Sequence, residues 1–270
     1  MIPEAFAYER ATSVDDALRH MAAGALPLAG GHSLIPALRL RLSAPEALVD
    51  IGRIPELSGI RREGDELVIG ATTRHQMVID SAEVRSEARC LHEATRHVGD
   101  QQVRNRGTLG GSLAQADPHG DLPSVALALG ATIVLRGPSG ERSVAVDDFF
   151  TDHYTTARGD DELLVAVRIP AGQGRGAYEK FNRRAMDWAL VGCAVSHGAQ
   201  GWRVALTGVA PTAVRARGVE EALANGDSVE GAAARAAEGL DPPPGLDGSA
   251  EYKRHLACVM ARRALERATG

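Results

Sequence analysis

The sequence predicts an α+β protein, and three observations carry that expectation. Short apolar runs of strand length alternate with helical patterns through the first 170 residues. After Pro170 three strand-like segments follow one another and two helical ones come after, the order of an antiparallel sheet covered by helices rather than of repeated βα units. The composition, 44% apolar and 24% charged over 270 residues, is that of an ordinary globular chain with enough length for a large core in two domains.

In chain order, Ser13-Val-Asp-Asp16 supplies a capping hydroxyl and acidic first-turn residues for a helix with Val14, Ala17, Leu18 and Met21 on one face, ended by Gly24. Leu26 to Ala29 reads as a strand, Gly30-Gly31 as a turn, and Ser33 to Leu42 as a short helix with Pro36 in its first turn. With Leu48–Ile51 as a further strand, the first 55 residues make a small β-α-β unit around that turn. Glu66–Gly70 is a strand, and Ser81 to about Gly99 a helix, with Val84, Ala88, Leu91, Ala94 and Val98 at helical spacing. Gly107 to Pro118 reads as irregular, Leu122–Leu129 as a short helix, and Ala131–Leu135 and Leu163–Pro170 as strands. Gly172-Gln-Gly174-Arg-Gly176-Ala177 formally matches a dinucleotide-binding fingerprint. Pro170 ends the strand before it and a strand rather than a helix follows, so it reads as a flexible glycine-rich hairpin. The segments 177–181, 189–197 and 202–209 then form a three-stranded antiparallel meander. Helices over 219–239 and 251–268 flank the linker 241–248, and Tyr252, Leu256, Val259 and Met260 form a core-facing stripe on the last of them.

Chemistry concentrates in two turns. Leu28-Ala-Gly-Gly-His-Ser-Leu34 and Thr108-Leu-Gly-Gly-Ser112 each place adjacent glycines beside hydroxyls at the entrance to a polar or helical segment. Glycine lets main-chain N–H groups approach an anion, and a following helix adds partial positive charge. Each turn alone is an ordinary tight loop; two together suit a diphosphate. Other chemistries find little footing. No phosphate loop of the G-x-x-x-x-G-K-[ST] form and no G-x-S-x-G nucleophile elbow occurs. Cys90, Cys193 and Cys258 are widely spaced and build neither a disulfide framework nor a zinc or iron–sulfur cage. Asp117, His119 and Asp121 alternate as metal ligands would, yet Pro118 and Gly120 turn the segment, and support of the neighbouring loop is the preferred reading. His92 and His97 lie five apart, off a common helix face. Lys180, alone on an amphipathic strand, reads by itself as a solvated cation. The net charge of −5, with dispersed Lys and Arg, favours neither nucleic acid nor an anionic membrane. No apolar run is long enough to span a bilayer and no leader is evident at the N-terminus, so a cytoplasmic protein is expected.

The ordered set Pro27-Leu-Ala-Gly-Gly-His-Ser-Leu-Ile-Pro36, Arg41-Leu42, Leu48-Val-Asp-Ile51, Thr108-Leu-Gly-Gly-Ser112, Asp117-Pro118, Asp121-Leu-Pro123, Tyr178-Glu-Lys-Phe181 and Asp187-Trp188 resembles the FAD-binding medium subunit of molybdenum hydroxylases, the family of carbon monoxide dehydrogenase and xanthine dehydrogenase. The likeness runs from Met1-Ile-Pro3 to the helix over 262–267. It implies a vanillyl-alcohol-oxidase-type FAD domain of two α+β subdomains, 1–55 and 56–171, holding the cofactor between them, followed by a C-terminal domain, 172–270. It further implies that Ala29, Gly30, Gly31, His32 and Ser33, continued by Leu34, and Thr108, Gly110, Gly111 and Ser112 cradle the FAD pyrophosphate. Asp121 then touches the ribityl or phosphate region. Lys180 and Trp188 lie near the flavin ring, and Val98 and Leu164 line it. Leu109, Ser112 and the His119-Gly120 pair depart from the commonest family pattern without removing a main-chain donor.

The same resemblance implies a task. The chain is the electron exit of an oxidoreductase whose molybdopterin sits on a large partner subunit and whose [2Fe–2S] clusters sit on a small one, in a dimer of heterotrimers, and no catalytic residue or metal is assigned to the chain itself. Two alternatives stay open at this point. A self-sufficient flavin oxidase or reductase of the same fold needs a substrate domain with its own acid or base, which the residues after Pro170 do not supply. A cofactor-free binding module has no need of Gly30, Gly31, Gly110 and Gly111 together.

Overall fold

In the computed structural model, residues 2–245 and 247–270 are described; Leu246, within the linker expected over 241–248, and Met1 lie outside them. Strand and helix alternate first: β1 (Ala7–Arg10), α1 (Val14–Ala22), β2 (Leu26–Leu28), α2 (Leu34–Leu40) and β3 (Ala47–Asp50). Strands joined through helices pair in parallel, and here they form a parallel sheet ordered β1-β3-β2, with Leu26 opposite Leu48 and Leu28 opposite Asp50. α1 begins as expected because the Ser13 hydroxyl accepts from the Asp16 N–H at 3.1 Å. β1 adds a strand that the sequence conceals, since all its residues are exposed and no apolar alternation marks it.

The chain continues through β4 (Ile60–Glu63), β5 (Glu66–Gly70), α3 (His75–Asp80), α4 (Ala82–Glu87), α5 (Arg89–Arg96), α6 (Gln101–Arg104), α7 (Leu109–Gln115), α8 (Asp121–Leu129), β6 (Thr132–Gly137), β7 (Gly140–Ala145), the short pair β8 (Phe150–Asp152) and β9 (Thr155–Thr156), and β10 (Leu163–Pro170). The five long strands make an antiparallel sheet ordered β4-β5-β10-β6-β7. The last part holds β11 (Arg175–Phe181), β12 (Val191–Gly198), β13 (Gly201–Thr207), β14 (Val214–Arg215), α9 (Arg217–Ala224), α10 (Val229–Ala233) and α11 (Ala250–Thr269). β11-β12-β13 is the expected meander, extended by β14, with α11 packed against β11 and β12.

α8 explains how the parts hold together. All nine of its residues are buried, because it lies between the five-stranded sheet and the β12–β13 face of the last one. A helix apolar on every side is stable only in such a place.

Five expectations need correction. The helix expected over 81–99 breaks at Ala88 (φ −142°), where the backbone pairs with Gln173 as an isolated β-bridge. The helix expected over 219–239 divides after Asn225-Gly226, and Ser228 caps a new start. The irregular stretch 107–118 contains α7. The glycine-rich hairpin does not exist: β10 and β11 belong to different sheets, and the joining residues are pinned by Ala171 N–H to Asp65 O, Gly172 N–H to a Glu87 carboxylate oxygen and Gln173 N–H to Glu87 O. The buried Gln173 amide also donates to Leu129 O and Pro170 O and accepts from Ser196 Oγ. Tyr252 also leaves the stripe expected on the last helix: it is 40% exposed and meets Phe181 edge-on, while Leu256 and Met260 are buried. Among the described residues no helix is long and apolar enough to cross a membrane.

Candidate cofactor-binding cleft

A cleft of about 430 Å³ runs where the parallel sheet, the five-stranded sheet and the C-terminal sheet approach one another, within the size range of small-molecule sites. All of Ala29, Gly30, Gly31, His32, Ser33, Leu34, Val98, Thr108, Gly110, Gly111, Ser112, Asp121, Leu164, Lys180 and Trp188 line it, although they come from positions 29 to 188.

The floor begins where β2 ends. Gly31 has φ +79°, a conformation glycine adopts freely, and it turns the chain into α2. Among the described residues, the successive N–H groups of Gly30, Gly31, His32, Ser33 and Leu34 donate to no protein atom. Successive free N–H groups around a left-handed residue form a concave anion-binding nest, reinforced by the start of a helix. Gly30 has a second duty. A Cβ there would collide with the Arg106 carbonyl and approach Gly107 Cα to 2.9 Å, so its missing side chain lets the first turn lie directly against the chain that leads into the second.

The second turn works differently from the expectation. Thr108 caps α7, its hydroxyl accepting from Gly111 N–H at 3.2 Å. Leu109 N–H donates to Thr73 O, Gly110 N–H to Ala71 O and Ser112 N–H to Thr108 O. These main-chain donors are already engaged, so this side offers the cleft the Ser112 hydroxyl and a close-packed wall. A Cβ at Gly110 would meet Ala71 at 2.6 Å, which fixes α7 against the end of β5.

A polar wall stands opposite. Asp121 opens α8; its Oδ1 accepts from the Tyr178 hydroxyl at 2.5 Å and its Oδ2 from Lys180 Nζ at 3.0 Å. Lys180 also donates to His97 O at 3.3 Å. The side chains of Lys180 and Asp121 are 3% and 5% exposed, so the solvated reading of Lys180 is wrong: β11 turns it inward onto a buried carboxylate. Burial pushes the Asp121 carboxyl up, against the opposing pull of the Lys180 ammonium and the Tyr178 hydroxyl. The C-terminal sheet fixes this wall twice over, since Thr207 Oγ lies 2.8 Å from both Pro118 O and Gly120 O, and Gly208 N–H donates to Pro118 O. Asp117 and His119 support the same loop as expected: Asp117 accepts from His119 N–H and the Tyr154 hydroxyl, and the His119 ring meets Ala189 O at 2.8 Å.

Val98 follows α5 and Leu164 lies on β10, on separate walls. Trp188, 61% exposed, stands on the rim beside Met186, whose φ is +68°. Sequence reasoning missed His75, Arg158 and Glu162, which also line the cleft. Arg158 donates to Gly159 O and Glu162 O, both at 2.7 Å, and Glu162 pairs with Arg142. None sits in a recognisable motif, and only the fold brings them to the cleft. The arrangement suits an anionic ligand, with a row of free N–H groups for a diphosphate and a buried cation in the same cleft.

Residues 4–172 match the family of FAD-binding domains in molybdopterin dehydrogenases, and residues 176–268 match the C-terminal domain of the CO dehydrogenase flavoprotein. The chain is 44% identical to the carbon monoxide dehydrogenase medium chain of Hydrogenophaga pseudoflava over 282 residues, covering 99% of this chain and 98% of that one. It is 37% identical to the glyceraldehyde dehydrogenase medium chain of Sulfolobus acidocaldarius, covering 98% and 99%. The solved structure of the Hydrogenophaga pseudoflava carbon monoxide dehydrogenase that lacks the Mo-pyranopterin moiety superposes with a TM-score of 0.95 at 43% identity, covering 100% of this chain and 99% of that one. The free N–H groups of the nest fit the diphosphate of the FAD that these domains bind. The chain belongs to the FAD-binding medium chains of carbon monoxide dehydrogenase-type molybdenum hydroxylases and is an oxidoreductase component of that class.

Proposed function

We propose that this cytoplasmic chain is the electron exit of a molybdenum hydroxylase, with its FAD held between segments 1–55 and 56–171 and closed over by 172–270. The flavin supplies two-electron acceptance and release, linking the [2Fe–2S] clusters of a small partner subunit to an external acceptor, while a large molybdopterin subunit hydroxylates the substrate. The residues of this chain bind and orient. The nest of Gly30 to Leu34 holds the diphosphate, Ser112 and Arg158 donate along the cleft, Lys180 places a cation against the cofactor, and Trp188 covers the rim. The observation that carries the reading is the row of free N–H groups over Gly30 to Leu34, facing a wall in which the buried Lys180 ammonium is paired with Asp121.

Expression of the tagged chain with its neighbouring genes tests it. The expected product is a complex containing FAD, iron with acid-labile sulfide, and molybdenum, with two further subunits in equal amount, assembled as a dimer of heterotrimers. Reducing the iron–sulfur clusters should bleach the flavin. A chain that turns over a substrate alone, or a complex without FAD, overturns the proposal.

A further inference from the structure

Behind the polar wall of the cleft stands a buried phenol. Tyr178 is fully buried, the largest such side chain, and it does not line the cleft. Its hydroxyl donates to Asp121 Oδ1, while the other oxygen of the same carboxylate receives Lys180 Nζ. A buried phenol satisfied by a carboxylate rather than by a backbone carbonyl is tied to the orientation of that carboxylate.

The fold spends a glycine to make room for it. Gly192 is the second residue of β12, directly opposite Lys180 in the sheet register, where a side chain would normally favour the strand. A Cβ at Gly192 would fall on the Tyr178 hydroxyl oxygen, and would also press on Thr207 Cγ2 at 2.9 Å. The backbone of β11 is held as well: Tyr178 N–H donates to Glu93, and Arg267 of α11 reaches Tyr178 O and Glu179.

We propose that Tyr178 is a positioning residue: by fixing Asp121 it holds the Lys180 ammonium in one place against the bound cofactor. This rests on the FAD reading of the cleft. Without the hydroxyl, Asp121 is free to turn about its side-chain bonds, and Lys180 follows it or withdraws toward His97 O. The ammonium then stabilises negative charge on the reduced flavin less effectively, because electrostatic stabilisation depends on a preorganised cation at short range.

The test uses the assembled complex with Tyr178→Phe and, approaching from the other side of the same hydroxyl, Gly192→Ala. Both variants are expected to retain folded complex, to raise the FAD dissociation constant about tenfold, the loss of roughly one charge-assisted contact, and to shift the flavin midpoint potential to more negative values. In a Lys180→Met background, Tyr178→Phe should move the potential no further. The inference is overturned if both single variants keep wild-type affinity and potential while merely melting earlier, or if Tyr178→Phe has its full effect without Lys180. A wild-type complex that holds no FAD overturns the reading of the cleft, and this inference with it.

Discussion

His75 lines the cleft and is held well below the usual imidazole range. It opens α3, is 4% exposed, and among the described residues its Nδ1 has no hydrogen-bond partner. Burial, with repulsion from His32 and Arg104, lowers its pKa from 6.5 to about 4. The unfolded chain therefore binds a proton between these values that the folded chain refuses, so stability is complete above pH 6.5 and is lost as the pH falls toward 4. At about 1.4 kcal/mol per pH unit the full loss is about 3 kcal/mol. Urea unfolding of the wild type and of His75→Gln at pH 7 and pH 4.5 should show the wild type losing more stability than the variant; parallel losses refute the assignment. His75 also shows where sequence reading stops at this scale. Gly30, Gly31, Gly110 and Gly111 stand out because paired glycines beside hydroxyls have a local chemical meaning. A single histidine, or Arg158 in an acidic loop, acquires meaning only from neighbours that are far away in sequence. Lys180 was misread for the same reason, since its partner Asp121 lies on another element.

At the scale of elements, the loop that leads into α8 depends on one hydroxyl of β13. Thr207 is buried and serves the carbonyls of Pro118 and Gly120, which precede Asp121. Thr207→Val keeps the shape and leaves buried carbonyl oxygen without its donor, a cost of about 1–3 kcal/mol. Denaturant midpoints should fall accordingly and FAD should dissociate faster, with Thr207→Ser restoring both; a Val variant with wild-type stability would refute the role. Strands and helices with a clean apolar period were legible: α1, β5, β10, the meander and α11 lie close to their expected places. What escaped was decided by tertiary contacts. α7 contains two glycines and reads as a loop, yet Thr108 caps it and the end of β5 receives its first turn. The continuous period over 81–99 is interrupted because Gln173 takes the backbone next to Ala88. β7 is exposed at nearly every residue and forms only because β6 offers an open edge. The fifteen expected cleft residues fell together because the resemblance supplied the long-range pairing that periodicity lacks.

For the whole molecule, the cleft is the place where three separately hydrogen-bonded sheets come together, and a ligand there binds several of them at once. Its nest belongs to the parallel sheet, the Ser112 wall is packed on the five-stranded sheet, and Lys180 comes from the C-terminal one. A ligand that binds only the folded chain stabilises it by mass action, about 2.7 kcal/mol at a hundredfold excess over its dissociation constant. For a chain of this size each kcal/mol raises the melting temperature by roughly 2–4 °C, so FAD should raise it by roughly 5–10 °C. The shift should depend on the whole dinucleotide. FMN shares the flavin and one phosphate but lacks the second phosphate and the adenosine, so at equal concentration it should stabilise less. Scanning calorimetry of the flavin-depleted chain with FAD, FMN or ADP separates the possibilities. FAD above both fragments is expected of a site that takes the flavin beside Lys180 and the diphosphate at the nest. Equal shifts with FAD and FMN would place all the binding at the flavin end and refute a nest that grips the diphosphate of a dinucleotide.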